Sequence, residues 1–168
     1  MIHKPGCASH HEGWACDCGT DQLDAALSGS HFQPGEASLR NLAGACIDMR
    51  NVILRAYTLL PPELGVDMSV IETRRTRNQQ KKYIAQGVSW TIDSDHLKED
   101  IDETGVLAGD IYPWIPGKGT SHDPEHYFVI ANVMFHAAQI EQVPVLWGGF
   151  WSPRRRDYPH WAKRRSHD

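Results

Sequence analysis

Near the C-terminal end of the chain, Asp157-Tyr158-Pro159-His160-Trp161 sets a carboxylate three residues ahead of an imidazole. Pro159 stiffens the backbone between them. Trp147-Gly148-Gly149-Phe150-Trp151 precedes this stretch, and the two Trp-bearing segments could shield the pair from bulk water. Upstream, Ser94-Asp95-His96 and Leu107-Ala108-Gly109-Asp110 add a second imidazole and a second carboxylate. A catalytic zinc usually keeps three protein ligands and leaves the fourth position to water. His96, Asp110 and His160 meet that count with suitable donor types. Water in such a position has its pKa lowered to about 7. Asp157 is then left uncoordinated, as a general base that could pass a proton to a leaving amine. Charge developing on a tetrahedral intermediate calls for a cation, and Arg75 is the candidate. Taken singly, each piece has a plainer reading. Asp-x-x-His is a common spacing, Trp-Gly-Gly is a turn with an aromatic flank, and Arg74, Arg75 and Arg77 suit a solvated helix start. The chain also has ten histidines to choose from.

These residues must be positioned by elements that the pattern predicts. Leu39, Leu42, Ala43, Cys46, Met49, Ile53, Ala56 and Leu60 recur at helical spacing, predicting one helix from Ser38, as N-cap, to the stop at Pro61-Pro62. Asp67 to Glu72 reads as a short strand. Thr76 and Gln79 have the form of a capping box, and Gly87 closes a helix over about 77 to 86. Ser94 to Glu103 is polar and loop-like. Val106 to Tyr112 reads as a strand closed by Pro113. Asp123-Pro124-Glu125 opens another helix, with Tyr127, Ile130, Ala131, Met134 and Ala138 as its buried stripe. Val143 to Trp147 and Tyr158 to Ala162 complete the strands. The expected class is α+β: a small, mainly antiparallel sheet with packed helices.

Length and composition allow this. The chain has 168 residues, 40% hydrophobic and 23% charged, enough for one globular core. Residues 1–37 read as an irregular Cys/His-rich arm and 38–168 as the catalytic domain. In the arm, Cys7, His10 or His11, Cys16 and Cys18 offer ligands for a second, structural zinc; the competing reading is a mobile, His-rich segment. A net charge of −4 and the lack of a complete finger pattern count against a nucleic-acid partner. Arg154-Arg155-Arg156 and Lys163-Arg164-Arg165 bracket the C-terminal motif, either as solvated surface or as a face that meets an anionic envelope. No secretion signal or membrane-spanning run is visible, so a cytosolic protein is expected, and a monomer.

From Ser38 to about Arg165 the order of motifs resembles the zinc DD-carboxypeptidase and LD-endopeptidase family of cell-wall peptidases, especially its phage endolysins. The residues that carry the resemblance are Val70-Ile71-Glu72-Thr73-Arg74-Arg75-Thr76 with Gln79-Gln80, Gly87, Ser94-x-His96, Gly105, Ala108-x-Asp110, the helix from Asp123, Trp147-Gly148-Gly149 and Asp157-x-x-His160-Trp161. The resemblance implies a hedgehog/DD-peptidase-like fold. It implies His96, Asp110 and His160 as zinc ligands, Asp157 as base, Arg75 as transition-state stabiliser, and Ser94 as a residue that helps place substrate. It further implies a peptidoglycan stem peptide as substrate, cut between L-alanine and D-glutamate, and release from the host cytosol through a holin. D-alanyl-D-alanine carboxypeptidase activity and a non-catalytic binding role are the alternatives on the same fold. One departure stands out: His96 and Asp110 lie fourteen positions apart. The family's closer spacing falls on Glu103. Asp110 is preferred because Gly105, Ala108 and Ile111-Tyr112-Pro113 look like the family's strand, which makes Lys98 to Thr104 a loop insertion of small closure cost.

Overall fold

The structure, a computed structural model, describes residues 32–97 and 105–164. The N-terminal group of Cys7, His10, His11, Cys16 and Cys18 lies outside the described residues, as do Glu103 and Arg165.

Among the described residues four α-helices pack with a small sheet. The helices are α1 (Glu36–Leu42), α2 (Ile47–Leu59), α3 (Arg77–Ala85) and α4 (Pro124–Glu141). The strands are β1 (Asp67–Glu72), β2 (Ala108–Ile115), β3 (Gly119–Thr120), β4 (Val145–Trp147) and β5 (His160–Lys163). They run in the order β1-β2-β5-β4, with β3 hairpinned onto β2, and every strand pair is antiparallel. This is the α+β class that the pattern predicts.

Helix α2 presents Met49, Val52, Ile53, Ala56 and Tyr57 on one face, and α4 presents Tyr127, Ile130, Ala131, Met134, Ala137 and Ala138. The two helices pack against each other, and these residues share a core with Met68, Val70, Ile111, Trp147 and Trp161 of the sheet. Full burial of a side chain such as Ile53 contributes about 1.5–3 kcal/mol. The helix ends follow local chemistry. The Asp123 carboxylate accepts the Glu125 N–H at 2.9 Å at the start of α4, and Pro124 follows at the first position, where no N–H is missed. The Thr76 hydroxyl accepts the Gln79 N–H at 3.1 Å, and Gly87 has φ +72°, the left-handed conformation expected of it.

Two local expectations are corrected. The predicted single helix from Ser38 is two helices. Residues 43–46 leave the spiral to bracket Val106, whose N–H donates to Gly44 O at 3.0 Å and whose carbonyl accepts from Cys46 N at 2.9 Å. Ser38 is therefore not a cap. The N-cap is Gly35, and the Ser38 hydroxyl accepts the Val70 N–H at 3.1 Å, tying α1 to β1. Pro113 does not close β2 either. Its carbonyl accepts from Ser121 N, on the side away from β1, so its missing N–H removes nothing from the β1–β2 ladder.

The sheet positions the site by its period of two. Ile111 and Trp161 point into the core, so their neighbours Asp110, Tyr112 and His160 point to the opposite face. The register pairs Asp110 directly with His160 across β2 and β5. A bulge between Val70 and Glu72 puts Glu72, rather than Ile71, opposite Asp110. Bulges commonly re-aim a side chain next to a functional site.

Candidate active site

His96, Asp110 and His160 come together on that face, and donor atoms of all three lie within 4.8 Å of one another. The edges of the triangle are His96 Nε2 to Asp110 Oδ1, 3.2 Å, His96 Nε2 to His160 Nδ1, 3.3 Å, and His160 Nδ1 to Asp110 Oδ1, 3.4 Å. Zinc binds nitrogen and oxygen donors at about 2.0–2.2 Å in a tetrahedral arrangement, which sets the donors about 3.3–3.6 Å apart. The three edges fit that figure closely. Asp110 Oδ1 is buried with no hydrogen-bond partner, a costly state for a carboxylate oxygen unless a cation meets it. The donor set and the orphaned oxygen both suit a small divalent metal.

The two imidazoles are held differently. His96, 2% exposed, turns Nδ1 to the Thr73 carbonyl at 2.6 Å, which leaves Nε2 as the lone-pair nitrogen. Its backbone N–H donates to the Ser94 hydroxyl at 3.3 Å, and Arg75 N donates to His96 O at 3.0 Å. Ser94, buried at the cleft wall, thus braces the first imidazole. His160 is fixed through its backbone by the β5 ladder; its buried Nε2 makes no hydrogen bond, and Asp95 Oδ2 lies 3.9 Å away. The Trp151 ring tilts over it with centroids 5.0 Å apart.

The electrostatics follow from this crowding. Burial alone would raise the Asp110 carboxyl, but the His160 and His96 imidazoles outweigh burial and hold it well below the usual carboxylate range. Burial pulls His160 down, yet Asp110 and Asp95 beside it push the metal-free imidazole up to about 9. Asp157, half-buried in the same cleft, is raised, first by burial and then by the charge of Asp110. A carboxyl raised in this way is suited to exchanging protons.

Arg75 is locked in place. Its Nε donates to Glu72 Oε2 at 3.0 Å, with Nη2 making a second, shorter contact to the same oxygen. Nη1 donates to Gln80 Oε1 at 2.7 Å, Nη2 lies 3.5 Å from Asp110 Oδ2, and the guanidinium sits 4.7 Å from the Tyr83 ring centre. Gln80, completely buried, passes its own amide to Ser89 Oγ and Thr91 O. Glu72, Thr73 and Gln80 are positioning residues to which residue types alone assign no role. The one local signal was their clustering beside Arg75.

Trp147-Gly148-Gly149 is the support for Asp157. Gly148 O accepts both Trp151 N and Asp157 N at 3.1 Å, and Trp147 Nε1 donates to Tyr158 O at 2.8 Å. A Cβ on Gly148 would meet Asp157 O at 2.3 Å, so only glycine allows this approach. The cleft, about 700 Å³, is lined by the three ligand candidates together with Arg75, Tyr112 and Asp157. Trp90 and Trp151 stand at its side in an edge-on pair 5.3 Å apart. Arg154, Arg155 and Arg156 line it as well.

Residues 30–168 match the family of phage L-alanyl-D-glutamate peptidases, and the chain belongs to that family. Among solved structures it is similar to the L-Ala D-Glu endopeptidase ChiX of Serratia marcescens, with 29% sequence identity and a TM-score of 0.63. That match covers 77% of this chain and 87% of ChiX. No curated protein sequence matches the chain.

Proposed function

We propose that the protein is a zinc-dependent endopeptidase that hydrolyses the L-alanyl-D-glutamate bond in peptidoglycan stem peptides. The observation that carries the reading is the buried triangle of His96 Nε2, Asp110 Oδ1 and His160 Nδ1, with edges of 3.2–3.4 Å and one orphaned carboxylate oxygen. Membership of the peptidase family supports the bond cleaved. Zinc, when bound, supplies Lewis-acid chemistry, polarising the scissile carbonyl and acidifying water.

The chain's own residues do the rest. His96, Asp110 and His160 hold the ion, with the Thr73 carbonyl orienting His96 and the β2–β5 register orienting the other two. Asp157 takes the proton of the attacking water and returns it to the departing amine, work that its raised pKa favours. Arg75, fixed by Glu72 and Gln80, needs no reorganisation to face negative charge growing on the carbonyl oxygen. Ser94 braces His96 through its backbone. Trp90 and Trp151 flank one side of the cleft with apolar surface. The proposed setting is host-cell lysis, with release from the host cytosol to the wall; the family match supports the phage origin.

The test is to digest purified peptidoglycan and determine the new termini by mass spectrometry, with metal content measured on the same preparation. New N-terminal D-glutamate and about one zinc per chain are expected. Release of terminal D-alanine alone would replace the endopeptidase reading with a carboxypeptidase one. Full activity in metal-free protein would refute zinc dependence.

A further inference from the structure

We infer that Arg154, Arg155 and Arg156 form a carboxylate subsite that recognises the free carboxylate of the substrate's D-glutamate. The inference rests on the endopeptidase reading above and adds how the substrate is recognised. From sequence the three arginines read as solvated charge or as a contact for an envelope. In the fold they line the same cleft as His96, Asp110, Asp157 and His160.

Three observations direct them at substrate. First, the lining of the cleft includes four carboxylates, Asp93, Asp95, Asp110 and Asp157. An anionic ligand therefore needs cations from elsewhere. Second, the other arginine of the cleft, Arg75, is held by Glu72 and Gln80 beside the ligand triangle, where the reading above assigns it to the scissile carbonyl. Arg154, Arg155 and Arg156 make no ion pair among the described residues, and all three are exposed; Arg156 Nη1 makes one long hydrogen bond, to the Tyr158 hydroxyl at 3.4 Å. Third, the backbone that carries them is fixed. Arg155 N donates to Ser152 O at 2.8 Å, Trp151 N and Asp157 N both donate to Gly148 O, and the Arg156 guanidinium lies 5.8 Å from the Tyr158 ring centre. A fixed backbone removes the cost of ordering the loop, and the planar guanidinium fork matches a carboxylate, which leaves only side-chain rotamer entropy to be offset on binding.

The substrate supplies the matching group. A D-glutamyl residue inside a peptide uses one of its two carboxyls for the next bond, so the other stays ionised close to the scissile amide. The arginines follow Trp151 and directly precede Asp157, so the loop that carries the proposed base also carries the recognition group. Binding the carboxylate would place the leaving amine beside the residue that must protonate it.

The test uses two soluble stem peptides that differ only in whether that D-glutamate carboxylate is free or amidated. Values of kcat and KM are measured for the wild type, the single variants Arg154→Gln, Arg155→Gln and Arg156→Gln, the triple variant, and the triple Arg→Lys variant. Thermal midpoints and zinc content report folding. The wild type is expected to favour the free carboxylate by tenfold or more, chiefly in KM, as for a charge-assisted hydrogen bond. In the triple Gln variant the ratio should collapse towards one, and the Lys variant should restore part of it. Equal wild-type rates on both peptides, or a ratio that survives in the triple Gln variant, would overturn the inference. A deficit seen on intact sacculi and absent on soluble peptide would overturn it in favour of recruitment to a polyanion. A wild type that cuts neither peptide refutes the endopeptidase reading itself, and the subsite with it.

Discussion

Gly148→Ala offers a sharp test of how the aromatic turn serves catalysis. The added Cβ would sit 2.3 Å from Asp157 O, whereas ordinary contacts begin near 3.4 Å. The Asp157 backbone must therefore move by about 1 Å, or the Gly148 turn must open by as much. His160 N donates to that same Asp157 carbonyl at 3.2 Å, but His160 is also anchored by its register with Asp110 in the sheet, so the displacement falls mainly on Asp157 and the loop before it. A misplacement of about 1 Å in catalytic geometry can cost on the order of a hundredfold in rate. The expected result is a fall in kcat of about that size on a soluble L-alanyl-D-glutamyl peptide, with about one zinc retained per chain and a folded circular dichroism spectrum. Steady-state kinetics on the same preparation as the metal assay would decide it. Wild-type kcat in a folded Gly148→Ala protein would refute the claim that this close approach positions the base.

Asp157→Asn should retain metal and lose about 10²- to 10⁴-fold in kcat, the usual range for a lost general acid-base, read by single-turnover kinetics beside metal analysis. Zinc affinity should rise with pH towards about 9, because the metal must displace the proton that Asp110 and Asp95 hold on His160; competition with a chromophoric chelator between pH 6 and 8.5 would measure it, and a flat profile would contradict it. The sign reverses for the stability of chelated protein. With the folded His160 pKa above the ordinary 6.5, the stabilisation is fully present below about 6.5 and fades as pH rises through about 9, so the thermal midpoint should fall across that window. Arg75→Lys should lower kcat without loss of zinc, since an ammonium cannot reproduce the fork shared by Glu72 and Gln80; kinetics and metal content together would show it. Ile53→Ala, at a completely buried position on α2, should cost about 2–5 kcal/mol in chemical denaturation while leaving the substrate preference of the folded enzyme intact.

By itself the sequence determined the chemistry available and its order along the chain. Histidine, aspartate and arginine are recognisable as ligands, base and cation because their donor chemistry belongs to the side chain. Helices α3 and α4 were legible for a related reason: Thr76 with Gln79, and Asp123 with Pro124, act within one turn of backbone. Wherever a distant segment decides the outcome, the sequence fell short. The helix expected from Ser38 breaks at 43–46 because Val106, some sixty residues away, takes its backbone hydrogen bonds. β2 continues past Pro113 because that proline's carbonyl turns to Ser121. Tertiary structure alone decided that Asp110 stands opposite His160, that a bulge aims Glu72 at Arg75, and that the Thr73 carbonyl orients His96. It also decided that the three arginines line the cleft. Strand register and loop packing are relations between segments, set by the burial of the opposite face of the sheet, and no local pattern encodes them.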